Sequence, residues 1–290
     1  MEFLRPATLK DALAAKAAHP DAVPIAGGTD VLVELNFDRR RPPALLDLSG
    51  VAELAEWHPD GEVLRVGAGV PYTRIITELG DRLPGLALAS RTVGSPQIRN
   101  RGTVGGNLGS ASPAGDAHPP LLASDAVVEV ASVRGSRQVP ISEFFTGVKR
   151  HALAPDELIT AVRIAPAGGP QQFAKVGTRN AMVIAVCSFA IALHPSRRAV
   201  GTGIGSAAPT PQRAPAAEEF LAAELPWDAR TPLPDSVARR FGELVAAAAA
   251  PIDDVRGTAD YRRHALSVMA RRTLRWAWQE YREGGRLRCA

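Results

Sequence analysis

The sequence predicts an α+β protein of two domains, and three observations carry that expectation. Residues 1 to about 50 alternate short apolar runs with helical segments. The stretch Ala165-Pro166-Ala167-Gly168-Gly169-Pro170 can continue neither helix nor strand and reads as a domain boundary. Beyond it, three strand-like runs follow one another before three helices, consistent with an antiparallel sheet. At 290 residues a single core is near its upper limit, which also favours two domains. The expected division is 1–168, with subdomains of about 1–55 and 56–168, followed by 171–290.

The elements follow in order. Asp11 to Ala18 is an alanine-rich helix and Val23 to Ala26 a strand. Gly27-Gly28 then turns the chain into a helix from Asp30 to Leu35, with Thr29 or Asp30 as N-cap. Ala44 to Leu48 and Glu62 to Val66 are strands, and Pro71 opens a helix through Leu79. Gly67-Ala68-Gly69 fails the nicotinamide fingerprint, because Tyr72 stands where its third glycine belongs. Residues 98–116 hold five glycines and a proline in nineteen positions, so they read as a loop excluded from helix interiors. Ala117 to Ala123 is helical, Val127 to Ala131 and Arg137 to Ile141 form a hairpin, and Leu158 to Ile164 is a strand. In the second domain Phe173 to Val176, Val183 to Leu193 and Ala199 to Ile204 are strands. Gly201-Thr202-Gly203-Ile204-Gly205 reads as a flexible one. Pro215 to Glu224, Ser236 to Ala250 and Ala259 to about Glu283 are helices, the last with its arginines on a solvated face.

Composition narrows the function. Hydrophobic residues make up 46% and charged residues 22%, and no apolar run nears the roughly 18 residues of a membrane span. The start carries no signal-peptide pattern, so a cytoplasmic location is expected. The net charge of +4 is spread, apart from Arg39-Arg40-Arg41 and the final helix, and aromatics are 5%, which argues against nucleic-acid binding. Cys187 and Cys289 are too few for an iron–sulfur cluster, and no zinc spacing exists. His118 and the proline-flanked His19, His58 and His194 read as loop or cap residues. No catalytic triad, paired carboxylates or metal ligands can be named.

What remains is a pair of Gly-Gly turns. Free N–H groups among small side chains suit an anion, most often a diphosphate, and two such turns could clamp one from two sides. The plainer reading is a glycine-rich surface loop. Ala26-Gly27-Gly28-Thr29-Asp30, Thr103-Val104-Gly105-Gly106-Asn107 and Ser112-Pro113-Ala114-Gly115-Asp116 resemble the FAD-binding medium subunit of the molybdenum hydroxylases. Matches continue at Phe144-Phe145-Thr146-Gly147, Pro155-Asp156-Glu157-Leu158-Ile159 and Phe173-Ala174-Lys175-Val176-Gly177-Thr178-Arg179. They end with Ala208-Pro209-Thr210-Pro211-Gln212-Arg213-Ala214 and Arg256-Gly257-Thr258-Ala259-Asp260-Tyr261-Arg262-Arg263.

The resemblance implies the FAD-binding fold of the vanillyl-alcohol-oxidase group, two subdomains followed by a smaller α+β domain. It implies FAD bound non-covalently by Pro24, Ile25, Ala26, Gly27, Gly28, Thr29, Asp30 and Val31 on one side. Thr103, Val104, Gly105, Gly106, Asn107 and Ser110 hold it on the other, and Ile159 is a further cofactor-binding residue. Asp116 either caps the helix at Ala117 or binds the FAD ribose, or does both. Lys175, with Arg179, lies on a strand facing the isoalloxazine ring, or is an exposed basic residue. Met182-Val183-Ile184 stands where relatives often have an aromatic, leaving Met182 or Ile184 to cover the ring. The implied partners are a large molybdenum-cofactor subunit and a small subunit with [2Fe–2S] clusters, in a dimer of heterotrimers. The alternatives are a stand-alone FAD-dependent oxidase or reductase of the same fold and a non-catalytic flavin-binding module.

Overall fold

A computed structural model describes residues 1–284; Cys289 lies outside them. The chain opens with β1 (Glu2–Leu4), α1 (Leu9–Ala18), β2 (Val23–Ile25), α2 (Val31–Asn36) and β3 (Ala44–Asp47). The three strands form a parallel sheet in the order β1-β3-β2. Thr8 caps α1 by accepting from the Asp11 N–H. Ala12 on the inner side of α1 packs with Leu46 and Leu54.

The middle of the chain comprises β4 (Trp57–Asp60), β5 (Val63–Gly67), α3 (Tyr72–Glu78), α4 (Pro84–Arg91), α5 (Pro96–Arg101), α6 (Val104–Ser110) and α7 (His118–Ala123). Next come β6 (Val127–Ser132), β7 (Gly135–Pro140), α8 (Ile141–Phe144), β8 (Phe145–Gly147), β9 (Arg150–His151) and β10 (Leu158–Ile164). Five of these strands make an antiparallel sheet in the order β4-β5-β10-β6-β7. Leu64, Val66, Val128, Val130, Val162 and Ile164 alternate along it and pack with Ile75, Leu79, Leu121 and Leu122. β8 and β9 form a separate hairpin.

The remainder is β11 (Gln171–Val176), β12 (Cys187–His194), β13 (Ala199–Gly205), α9 (Pro215–Glu224), α10 (Asp235–Ala248) and α11 (Ala259–Arg282). The antiparallel sheet β11-β12-β13 packs Phe189 and Ile191 with Phe241, Val245, Leu266 and Leu274. On its other side Phe173, Ala190 and Ala192 pack with Ala89 of α4 and Ala123 of α7. Among the described residues, no helix is long and apolar enough to cross a membrane.

Four expectations are corrected. Residues 98–116 are mostly helix. Ser95 caps α5 with Pro96 in its first turn, and Thr103 caps α6 by accepting from Gly106 N–H. A helical glycine costs about 1 kcal/mol relative to alanine, but Gly105 lets α6 approach Ala68, whose Cβ an added methyl would meet at 2.5 Å. The second strand of the last sheet begins at Cys187, not Val183. Gly201 and Gly203 are not signs of flexibility: a Cβ on either would overlap the backbone of α7, at Ala123 O and Pro119 O. Finally, Arg262 on α11 is buried, donating to Ser206 O at 2.6 Å and to Asp254 at 2.5 Å.

Candidate cofactor site

The first Gly-Gly segment sits at a chain reversal and the second in the first turn of α6, and the fold brings the two near each other. The first follows β2, at the carboxyl end of a parallel sheet, where ligands of such sheets gather. Gly28 has φ of +75°, a conformation that favours glycine. Gly27 has a different reason: its missing Cβ leaves room for the Arg101 carbonyl at the end of α5. The second segment is held from below. Tyr72 N–H donates to Gly102 O at 3.0 Å, Gly105 N–H to Ala68 O at 3.1 Å, and Thr103 bridges Pro71.

Ala26 and Gly27 of the first segment and Thr103 of the second line one cavity of about 140 Å³. Ala26 and Gly27 form one wall, and Asn100, Arg101 and Thr103 another, with Leu48 and Ser49 from the end of β3 and Gly69 and Pro71 below α3 closing it. The backbone N–H groups from Gly27 to Asp30 make no hydrogen bond to other described residues. The second segment differs, because the N–H groups of Gly105 and Gly106 are engaged by Ala68 O and by Thr103 Oγ1 at 2.9 Å. It therefore offers a surface rather than donors. Gly106 is the open point of that surface, since a Cβ there would meet only Thr103 Oγ1, at 3.1 Å. Unpaired donors at the first segment and a nearby helix face with little side-chain bulk fit a phosphate-bearing cofactor.

The other expected residues divide. Asn107 Oδ1 accepts from Ala117 N–H at 3.4 Å, leaving its amide donors as its contribution to a ligand. Ser110 Oγ donates to Asn107 O at 2.9 Å, so its hydroxyl is turned onto its own helix. Val104 is buried in the core beneath α6, and Ile159 on β10 lies under Gly109. Ile25 is buried with Val23 and Leu45, Val31 packs partly against them, and Pro24 is exposed. Thr29 Oγ1 lies 3.5 Å from where a Gly102 Cβ would be, facing the second segment. Asp30 stands at the N-cap of α2 with no side-chain cap bond.

Asp116 does not cap α7; Ala117 is the N-cap and no side chain caps it. Instead Asp116 Oδ2 accepts from Lys175 Nζ at 2.5 Å and from Thr92 Oγ1 at 3.2 Å. Lys175 also donates to Thr92 O at 3.1 Å and is buried, which removes the exposed-strand reading. Asp116 Oδ1 is buried without a partner. Burial pushes the Asp116 carboxyl above its ordinary value, and the Lys175 ammonium and the Thr92 hydroxyl offset part of that. Arg179 turns away from this pair and clips the carbonyls of Ala181 and Met182, leaving Met182 and Ile184 exposed.

Two buried groups were given no site role in the sequence reading. Tyr72 begins α3 with its hydroxyl buried and unpartnered; burial raises its pKa well above 10, and the charges of Asp116 and Asp30 raise it further. His118 is fully buried in α7, not a loop residue, with Nε2 3.2 Å from Asn107 O and its ring against Phe145. Burial pushes it from 6.5 to about 4. No spacing rule marks either residue, but both flank quoted motifs. No group of His, Cys, Asp and Glu among the described residues could hold a metal.

Comparison with known proteins shows the family. Residues 1–167 match the family described as the FAD binding domain in molybdopterin dehydrogenase, and residues 172–277 the CO dehydrogenase flavoprotein C-terminal domain. The xanthine dehydrogenase FAD-binding subunit of Escherichia coli O157:H7 is 33% identical over 94% of both chains. The nicotine 6-hydroxylase medium subunit of Paenarthrobacter nicotinovorans is 33% identical over 94% of this chain and 96% of its own. Among solved structures, quinoline 2-oxidoreductase from Pseudomonas putida 86 superposes with a TM-score of 0.89 at 27% identity, covering 97% of this chain and 98% of that one.

Proposed function

The chain belongs to the FAD-binding subunits of the molybdenum hydroxylases, and from that premise we propose that it holds FAD non-covalently between its two Gly-Gly segments. FAD, when bound, accepts electrons from a [2Fe–2S] partner subunit and passes them to a final acceptor. A large partner carrying the molybdenum cofactor hydroxylates the substrate, and the assembly is a cytoplasmic dimer of heterotrimers. Gly27, Gly28, Thr29 and Asp30 supply N–H donors to the diphosphate, and the α6 face at Gly106 lets it approach. Asn107 donates through its amide, and Asp116 accepts from a ribose hydroxyl through Oδ1. Lys175, near the end of β11, orients Asp116 beside the strand read as facing the ring.

The observation that carries this reading is the row of unpaired N–H groups from Gly27 to Asp30, beginning at a glycine that lines one cavity with Asn100, Arg101 and Thr103. The test is acid precipitation of the purified chain with metal analysis. The expected result is FAD in the supernatant, and neither iron nor molybdenum. Flavin remaining with the pellet, FMN alone, or stoichiometric iron would overturn it.

A further inference from the structure

Tyr72 opens α3 directly after Pro71, a residue that lines the cavity. Its N–H donates to Gly102 O and Pro71 bridges Thr103, which fixes it against the entry to α6. Gly102 makes room for it. A Cβ there would stand 3.4 Å from the Tyr72 ring and 3.5 Å from Thr29 Oγ1, so the ring and the first Gly-Gly segment approach one point. The ring belongs to the core cluster of Val104, Leu108 and Leu121, where a phenylalanine would bury as well. Apolar packing therefore does not account for the hydroxyl.

That hydroxyl is buried and, among the described residues, has no hydrogen-bond partner. An unpaired buried polar group is costly to keep. Asp116 Oδ1 is in the same condition. Burial, then the charge of Asp116, then that of Asp30, hold the Tyr72 proton on well above its ordinary range, so the group is a donor at every working pH. The same two carboxylates locate it, between the residue that leads into α7 and the end of the first segment.

The two orphaned atoms fit one kind of group. Asp116, a carboxylate with the Lys175 ammonium on Oδ2, can only accept through Oδ1. Tyr72 has a proton to donate. A phosphate oxygen could accept from Tyr72 but has no proton for Asp116. An ammonium could donate to Asp116 but cannot accept from Tyr72. A hydroxyl does both. We propose that Tyr72 is a further FAD-binding residue, donating its phenol hydrogen to the ribose hydroxyl that in turn donates to Asp116 Oδ1. This rests on the function proposed above, and the other source of such a hydroxyl is a resident water.

The test is Tyr72→Phe in the full chain, read by FAD titration of the flavin-stripped protein and by melting temperature with and without FAD. The variant should bind FAD about tenfold more weakly, the equivalent of about 1.4 kcal/mol. Its flavin-free melting temperature should equal or exceed the wild type's, because an unpaired hydroxyl has left the core. The rise in melting temperature that FAD produces should shrink accordingly. In an Asp116→Asn background the same substitution should cost clearly less than tenfold, since the cofactor hydroxyl is no longer held at its other end. Unchanged FAD affinity would overturn the proposal, and a lowered flavin-free melting temperature beside it would assign the Tyr72 hydroxyl to a resident water. An affinity loss that only tracks a loss of flavin-free stability would overturn it as well, and so would strictly multiplicative losses with Asp116→Asn. A wild-type chain that binds no FAD would instead overturn the function on which the proposal rests, and the two failures are separable.

Discussion

Lys175 Nζ lies 2.5 Å from Asp116 Oδ2, and each side chain is 8% exposed. Lys175 belongs to β11 of the last sheet, while Asp116 leads into α7 of the preceding part of the chain. A buried pair of this kind is weak evidence of net stabilisation, but removing one member strands the other charge. Lys175→Met should therefore cost about 3–5 kcal/mol. Adding Asp116→Leu should recover part of it, giving a coupling of at least about 1 kcal/mol in a double-mutant cycle. Denaturant unfolding of the four proteins measures it. Strictly additive losses would show that the pair does not act as a unit.

The glycines of the site should separate by reason. Gly27→Ala sets a Cβ against the Arg101 carbonyl, so the first segment cannot close on α5, and both stability and FAD retention should fall. Gly105→Ala sets one 2.5 Å from Ala68 and should destabilise by about 1–3 kcal/mol through overpacking. Gly106→Val should leave the fold largely intact while FAD is lost, because its side is open except at Thr103 Oγ1. Flavin content and melting temperature of each purified variant give the comparison. Full FAD occupancy in Gly106→Val would place the cofactor elsewhere.

Much of this was legible in the sequence, for physical reasons. Apolar alternation in 127–131 and 158–164 reports one buried sheet face directly. The two small-residue motifs were legible as such, and the structure brings Gly27 of one and Thr103 of the other to one cavity. The helices of residues 96–110 were not legible, because glycine propensity argues against them and only their contact with Ala68 and their Ser95 and Thr103 caps allow them. Which N–H groups remain unpaired was also hidden, since Gly105 and Gly106 meet partners 37 and 3 residues away in the chain. The burial of Lys175 depends on two parts of the chain meeting, and no local pattern reports that.

The junction at β13 gives a third prediction. Gly203 touches the Pro119 carbonyl and Gly201 the Ala123 carbonyl, so α7 lies flat on the strand. Gly203→Ala should push α7 away and cost about 1–3 kcal/mol. Because α7 follows directly from Asp116, the variant should also weaken FAD binding. Gly168→Ala, with open space around it, is the control and should change neither. An unaltered melting temperature for Gly203→Ala would show that α7 does not need this contact.

The last prediction concerns acid. His118 is wholly buried, with Nε2 3.2 Å from Asn107 O and its ring so close under Gly115 that no Cβ would fit there. Burial holds its pKa near 4 in the folded chain, against 6.5 when unfolded. The unfolded chain thus binds the extra proton between those values, and stability rises with pH there. The contribution is complete above about pH 6.5 and is lost as the pH falls toward 4, by about 3 kcal/mol in all. His151, also lowered by burial, acts in the same direction. Asp116, raised by burial, acts oppositely, gaining stability as it protonates. Both are present in His118→Gln, so the difference between variant and wild type isolates His118. The variant should start less stable at pH 7, having lost the fitted ring, and decline less on acidification. Urea midpoints at pH 7, 5.5 and 4.5 test this, and parallel declines in the two proteins would assign the acid sensitivity to another group.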